Sequence, residues 1–365
     1  METILARQIA RDRPSHAYLF LGPPGSGKST AARLLARALN CDQQPAARQE
    51  SGAWRLVPCG ECESCRRIAA DTHPEVMEVR PQSKTGQNIS VEQSREIRRN
   101  AALRPKLGRN RVYIIPQAEA FNDESANALL KTLEEPSPFI TLILCAPSPS
   151  QVLPTIRSRC QVLRFGLAPP DEVAAALVAR GVEAGTAASL ARACGGRPGL
   201  ALTWAESPQV LQQRRSVQEV FGQALDLQRR AARDPSLGAA SLRLAEQFRG
   251  LSAAGKEDED APARPAKSLH SGSLEICLDY LRDLLLLCEG APPLLVRNQE
   301  RLPELQEQAP ATSSERVLLD IHTVREAQEL LERNVSVQLV LERMFWAVIA
   351  GPLPRPTALF DEARL

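Results

Sequence analysis

Apolar residues along this chain recur first in short unbroken runs and later only at helical spacing. The run Ala17 to Leu21 stops at Gly22, and from Ala31 to Leu39 apolar positions return with a helical period, which predicts strand, loop and helix in that order. Ser90 with Gln93 at the fourth position of the capping pattern predicts a helix running through Arg99, with Arg95, Arg98 and Arg99 on one face. Arg111 to Ile115 reads as a buried strand. Asn122 reads as the cap of a helix that turns Ala126, Leu129, Leu130 and Leu133 inward until Pro136 stops it, and Phe139 to Cys145 reads as another strand. Strands alternating with helices as far as Phe165 imply an α/β domain, a parallel sheet covered on both faces.

Beyond Pro169 and Pro170 the pattern is helical only. Glu172 to Arg180 ends at Gly181, Thr186 to Cys194 ends at Gly195 and Gly196, and a further helix starts at Leu200, which predicts a small three-helix domain over 167–207. Helical periodicity fills 208–350, in particular over 275–288, Ser314 to Arg333 and Val335 to Ala350, and a tail of 351–365 follows. It is interrupted from Ser252 to Ser273, where the acidic run Glu257 to Asp260, several Pro steps and few apolar residues predict a flexible loop.

A length of 365 residues exceeds what one core comfortably serves, so several domains are expected. A net charge of +2 is too small for a general nucleic-acid sponge, although local basic strips remain open to phosphate. No apolar run reaches the ~18 residues of a bilayer span, and Met1 to Arg13 lacks the apolar core of a signal peptide; the expected location is the cytoplasm. Nine cysteines in so long a chain do not suggest a disulfide scaffold. Cys145, Cys160, Cys194, Cys277 and Cys288 sit in apolar contexts and read as core thiols, whereas four others cluster early in the chain.

Those four are Cys41, Cys59, Cys62 and Cys65, in a polar stretch that packing does not explain. Their spacing suits a closed tetrahedral site for one structural Zn²⁺ within a module at 41–65, and His73 reads as a loop residue. The segment Gly22, Pro23, Pro24, Gly25, Ser26, Gly27, Lys28, Ser29 and Thr30 satisfies G-x-x-x-x-G-K-[ST] between a predicted strand and helix. Backbone N–H groups there can cradle a phosphate, Lys28 supplies charge to the outer phosphates, and the Ser29 hydroxyl can ligate Mg²⁺, so ATP with Mg²⁺ is the expected ligand.

SHAYLFLGPPGSGKST, the four-cysteine module, ESANALLKTLEEP at 124–136 and LPTIRSRCQ at 153–161 together resemble bacterial clamp-loader subunits of the DNA polymerase III gamma and delta-prime group. The resemblance covers roughly the first 205 residues and continues weakly in YLRDLLLL at 280–287 and LERNVSVQLVLERMFW at 331–346. It implies an AAA+ P-loop domain over 1–166, a lid over 167–207 and a helical collar over 208–350 that joins a ring of subunits. It also implies partners: gamma/tau and delta subunits, the sliding clamp, and primed DNA at a nucleoid-associated replisome. Arg159 matches the family arginine that reaches, in trans, the ATP of a neighbouring subunit.

Departures from the family pattern narrow the expectation. ATP-hydrolysing members of the family carry Asp-Glu after the strand matching Arg111 to Ile115, and here those positions are Pro116 and Gln117. Glu119 reads as a surface charge at a helix entry, with a shifted strand end as the alternative that would bring it near the metal. Gly199 stands where the family lid contributes an arginine to the phosphates, and Arg197 is a doubtful substitute. These departures imply a stator that binds ATP with weak or no hydrolysis; the alternatives are an ATP-hydrolysing motor subunit of the gamma/tau type and a stand-alone P-loop kinase-like enzyme.

Overall fold

A computed structural model describes all residues except 1, 44–45, 51–52, 83–87, 231–236, 254–265, 334 and 352–365. Glu2–Ala10 (α1) leads to Ala17–Leu21 (β1), every residue of which is buried, and then to Lys28–Asn40 (α2). A hairpin of Ala47–Glu50 (β2) and Ala53–Leu56 (β3) precedes the short helix Glu63–Ala69 (α3) and the strand Val76–Glu78 (β4). Val91–Ala101 (α4) opens on the capping box of Ser90 and Gln93, as its spacing predicts. Arg111–Ile115 (β5), Asp123–Glu134 (α5), Ile140–Ala146 (β6), Pro154–Arg157 (α6) and Gln161–Arg164 (β7) complete this part.

The five longer-range strands form one parallel sheet in the order β4-β5-β6-β1-β7, and β2 with β3 forms a separate antiparallel pair. Alternation along β1 sends Tyr18 and Phe20 to one face, with Leu35, Ile114, Ile143 and Cys145, and Leu19 and Leu21 to the other, with Ile97, Leu129 and Leu144. Both faces are therefore covered, which is why these strands read as continuous apolar runs rather than alternating ones. The sheet order leaves the C-terminal ends of β1 and β5 on either side of β6, and ligands of open α/β sheets bind at that edge.

Residues 1–169 with 196–200 form one compact unit, and 170–195 with 201–365 form the other. The second is helical, with Pro170–Val178 (α7), Ala184–Ala193 (α8), all but the first three residues of Pro198–Glu206 (α9), which belong to the first unit, Pro208–Arg230 (α10), Leu237–Ala253 (α11), Ala266–Cys288 (α12), Leu302–Gln308 (α13), Ser314–Glu332 (α14) and Val337–Ala350 (α15). Its core gathers Phe221, Phe248, Tyr280 and Phe345, with Phe248 and Phe345 edge-to-face at 5.4 Å between ring centroids. Beside it, buried Arg214 pairs with Glu300 at 2.6 Å and lies 5.0 Å from the Trp204 ring, while Asn298 takes bonds from Arg214 and Gln218 and donates to Asp283.

Helix occupies both ends of the segment Ser252 to Ser273 expected as a loop, and 254–265 lie outside the described residues. Ser252 and Ala253 close α11, and α12 begins at Ala266. His270 and Ser273 are buried against the helical core, so tertiary packing offsets the weak helix preference of SerGlySer at 271–273. The acidic run at 257–260 lies outside the described residues.

Candidate functional site

Gly22 begins the glycine-rich turn at the end of β1. A Cβ on Gly22 would stand 2.3 Å from the Phe165 carbonyl oxygen, because Phe165 donates its N–H to the Leu21 carbonyl at 2.6 Å. Gly25 and Gly27 adopt φ of +77° and +90°, a left-handed backbone that glycine enters without steric cost. Gly27 thereby turns the chain so that α2 starts at Lys28 with its N-terminus facing the loop. Lys28 Nζ donates to the Gly22 and Pro23 carbonyls, at 2.5 and 2.9 Å. Ser29 and Thr30 are exposed in the first helical turn, and Ser26 Oγ is buried without a hydrogen-bond partner. The structure thus brings all of the predicted phosphate-loop residues into one turn at the sheet edge.

Pro116 and Gln117 follow β5, so no carboxylate stands directly at the end of that strand. The next residues form a short turn, Ala118–Ala120, in which Ala118 and Ala120 point into the core and Glu119 points out. Although Glu119 is solvent-exposed as a residue, its carboxyl is raised in pKa by the protein around it, opposed by the charge of Lys28. Lys28 is in turn lowered by burial, opposed by Cys145 and Glu119. Glu119 is thus exposed at a helix entry, as the surface-charge reading has it, and its charge also acts on Lys28.

Across the loop lies the start of α9. The Gly199 N–H donates to the Gly25 carbonyl at 2.9 Å, and the Cβ positions of Arg197 and Leu200 lie 3.4 Å from where a Gly25 Cβ would be. A side chain at 199 would meet the Gly25 oxygen at 3.1 Å. Sequence reading noted Gly199 only for the arginine it lacks; the signal for its contact is the ProGly step that opens the helix.

Arg159 follows α6 on the turn before β7 and does not project freely. Its Nη2 pairs with Glu134 Oε1 at 2.5 Å and its Nη1 donates to the Thr155 carbonyl at 3.0 Å, with the guanidinium about one-third exposed. Arg95, Arg98 and Arg99 are all exposed on α4; Glu92 engages Arg99 at 2.8 Å and Arg95 at 3.9 Å, which leaves Arg98 without an ion pair among the described residues.

The sulfur atoms of Cys41, Cys59, Cys62 and Cys65 all lie within 4.8 Å of one another. Tetrahedral ZnS₄ with Zn–S near ~2.3 Å sets its sulfurs about 3.8 Å apart, so a slight contraction suffices to enclose an ion. Chained N–H···S bonds already point at these sulfurs: Cys59 N to Cys41 Sγ, Cys62 N to Cys59 Sγ, and Cys65 N to Cys62 Sγ, at 3.3–3.4 Å. Such donors favour thiolate, and those from Cys62 and Glu61 bring the Cys59 thiol down to about 7. Burial pushes Cys41 and Cys65 up instead. His73 is no part of the cluster: it is buried, its Nδ1 accepts from the Glu75 N–H at 3.1 Å, and burial lowers its pKa. The hairpin β2–β3 between Cys41 and Cys59 supplies Ala47 and Leu56 to the core beneath the cysteines.

Among known proteins, residues 1–168 match the family described as DNA polymerase III, delta subunit. The gamma/tau subunit of DNA polymerase III from Mycobacterium tuberculosis is 42% identical over 167 residues, which are 45% of this chain and 27% of that one. The chain thus spans only 27% of the length of such gamma/tau relatives. The delta-prime subunit from Pseudomonas aeruginosa is 43% identical over 150 residues, 41% of this chain and 43% of that one. The delta-prime subunit from Bacillus subtilis is 28% identical over 344 residues, 93% of both chains. A gamma-subunit-related protein from Thermotoga maritima superposes with a TM-score of 0.39 and 14% identity over 95% of this chain and 98% of that one, so the fold is defined here by its own sheet order. Residues 1–168 are thus similar to the family described as DNA polymerase III, delta subunit, and the similarity to the Bacillus subtilis delta-prime subunit extends along 93% of the chain.

Proposed function

We propose that this chain is a clamp-loader subunit of the bacterial replicative DNA polymerase, a stator that helps place a sliding clamp on primed DNA. It works beside gamma/tau and delta subunits, and its collar over 208–350 joins the ring. The observation that carries this reading is the asymmetry of the similarities: one delta-prime subunit aligns over 93% of both chains, whereas the gamma/tau alignment ends after 27% of that protein. The phosphate loop supports binding of ATP with Mg²⁺ through Gly25, Gly27, Lys28 and Ser29. Pro116 and Gln117 supply neither the metal-holding nor the water-polarising acid that phosphoryl transfer needs, so hydrolysis in this chain is slow or absent. Arg159 serves the ATP of a neighbour, and the four cysteines hold one structural Zn²⁺ with no open coordination position for chemistry.

The motor reading is supported by the electrostatic influence of Glu119 on Lys28, which would put an acid within reach of a bound metal's charge. Reconstitution with candidate gamma/tau and delta subunits, measuring clamp-stimulated and DNA-stimulated ATP turnover with and without this chain, tests the assignment. A stator raises turnover of the complex while turning over no ATP alone. Failure to join the complex at all, with steady turnover by the isolated chain, overturns it in favour of a stand-alone enzyme.

A further inference from the structure

The phosphate loop of this chain touches its own lid segment. Gly199 is the second residue of α9, and its N–H is one of those that a helix start leaves without an intrahelical partner. Here the partner is the Gly25 carbonyl at 2.9 Å. The approach is tight at Gly199, where a Cβ would lie 3.1 Å from that oxygen, whereas a Cβ on Gly25 would meet Arg197 Cβ, Leu200 Cβ and Leu200 N at an ordinary 3.4 Å. Glycine is needed at 25 for its φ of +77° and at 199 for the closeness of the Gly25 oxygen. The loop is also pinned from inside by Lys28, whose ammonium is bound to the Gly22 and Pro23 carbonyls.

We propose that Gly199 is a positioning residue that latches the phosphate loop to the start of α9, so that nucleotide polyphosphate binds only by displacing the latch. The absence of an arginine at 199 is then a gained contact as well as a lost one, because any side chain there would push the loop and α9 apart. In physical terms the loop has two competing ligands, a helix start that donates N–H to its carbonyl and a polyphosphate that needs the loop free to close around it. Apparent affinity for the second falls by the fraction of molecules in which the first is engaged. The latch itself does not depend on the nucleotide-binding reading; only the competition does.

The test uses the full chain and the variants Gly199→Ala and Gly199→Arg. Alanine is a better helix former than glycine, so α9 persists while its methyl meets the Gly25 oxygen. Hydrogen exchange of the 22–31 backbone, without nucleotide, should accelerate roughly fivefold in Gly199→Ala, as for the loss of one ordinary hydrogen bond, and further in Gly199→Arg. Titration with ATP and Mg²⁺ should show affinity rising by a similar factor. Unchanged exchange in both variants overturns the latch. Faster exchange with unchanged ATP affinity overturns the competition. Faster exchange in variants that, like the unmutated chain, bind no ATP at any concentration confirms the latch and instead removes the nucleotide-binding reading.

Discussion

Arg159 offers the most direct handle on the proposed role, because the structure gives both what it would do and what holds it back. In a complex it would stabilise negative charge developing on a neighbour's γ-phosphate, and such fingers are worth roughly a thousandfold or more in rate. In this chain the same guanidinium is tied to Glu134 at 2.5 Å and to the Thr155 carbonyl. Both ends of the ion pair are partly exposed, at 34% and 48%, so the pair contributes at most about 1 kcal/mol. Releasing the finger therefore costs no more than roughly fivefold, far less than it returns. Two substitutions should consequently move in opposite directions. Arg159→Ala should leave the chain folded and assembled yet abolish the fast phase at one ATP site, whereas Glu134→Gln should speed that site by up to roughly fivefold. The bulk rate would fall only by that site's share, so the assay is a pre-steady-state burst of ATP turnover by the reconstituted complex, with assembly verified by size and nucleotide occupancy by titration. An intact Arg159→Ala complex with an undiminished burst would falsify the finger assignment and leave Arg159 a surface arginine that pairs with Glu134.

Chelation of the metal, or Cys62→Ser, should cost local order without dissolving the sheet, since structural zinc is worth on the order of 10 kcal/mol to small sites while one face of β5 and β6 rests on an apolar core that contains none of the four cysteines. Hydrogen exchange should speed across 41–70 and stay slow in β5 and β6; a metal-free, fully reduced chain with an equally protected module counts against zinc. Glu119→Gln should leave ATP turnover at background and tighten binding, because it removes a negative charge from the field of Lys28; steady turnover in the unmutated chain that disappears in Glu119→Gln would instead establish Glu119 as the acid of a working site. Burial pushes the Asp320 carboxyl from 3.8 up to about 6, against the pull of Gln228 and Arg316. The folded chain therefore holds this proton between about pH 4 and 6 where the unfolded chain releases it, so the stability it contributes is present at low pH and lost as pH rises through about 6, on the order of 2–3 kcal/mol. Asp320→Asn should flatten that part of the change in melting temperature between about pH 4 and pH 6; an unchanged pH slope would show that the carboxyl titrates normally.

Local pattern alone determined a good deal of this protein. The phosphate loop was legible because its glycines are demanded by backbone geometry at fixed spacing, and Gly25 and Gly27 do take left-handed φ. The cysteine cluster was legible because four thiols stand at metal-ligand spacing in a polar stretch, although Cys41 and Cys65 also turn out to be buried in the core. Strands β1, β5 and β6 were legible because burial on both faces makes them mostly apolar, and β5 spans the residues expected of it. What the pattern did not carry depends on partners distant in sequence. β4 is three residues long and is a strand because Val76 pairs with Val112 in β5; the β2–β3 hairpin exists because it closes over the cysteines and a shared core. The start of α12 at Ala266 rests on packing of His270 and Ser273, against their local preference. At the site, the acid missing after β5 is a fact of sequence, but the pairing of Arg159 with Glu134 and the bond from Gly199 to Gly25 arise only when the chain brings together residues 25 to 174 positions apart. Charges and hydrogen bonds act over a few ångströms of space, and only the folded chain sets that distance.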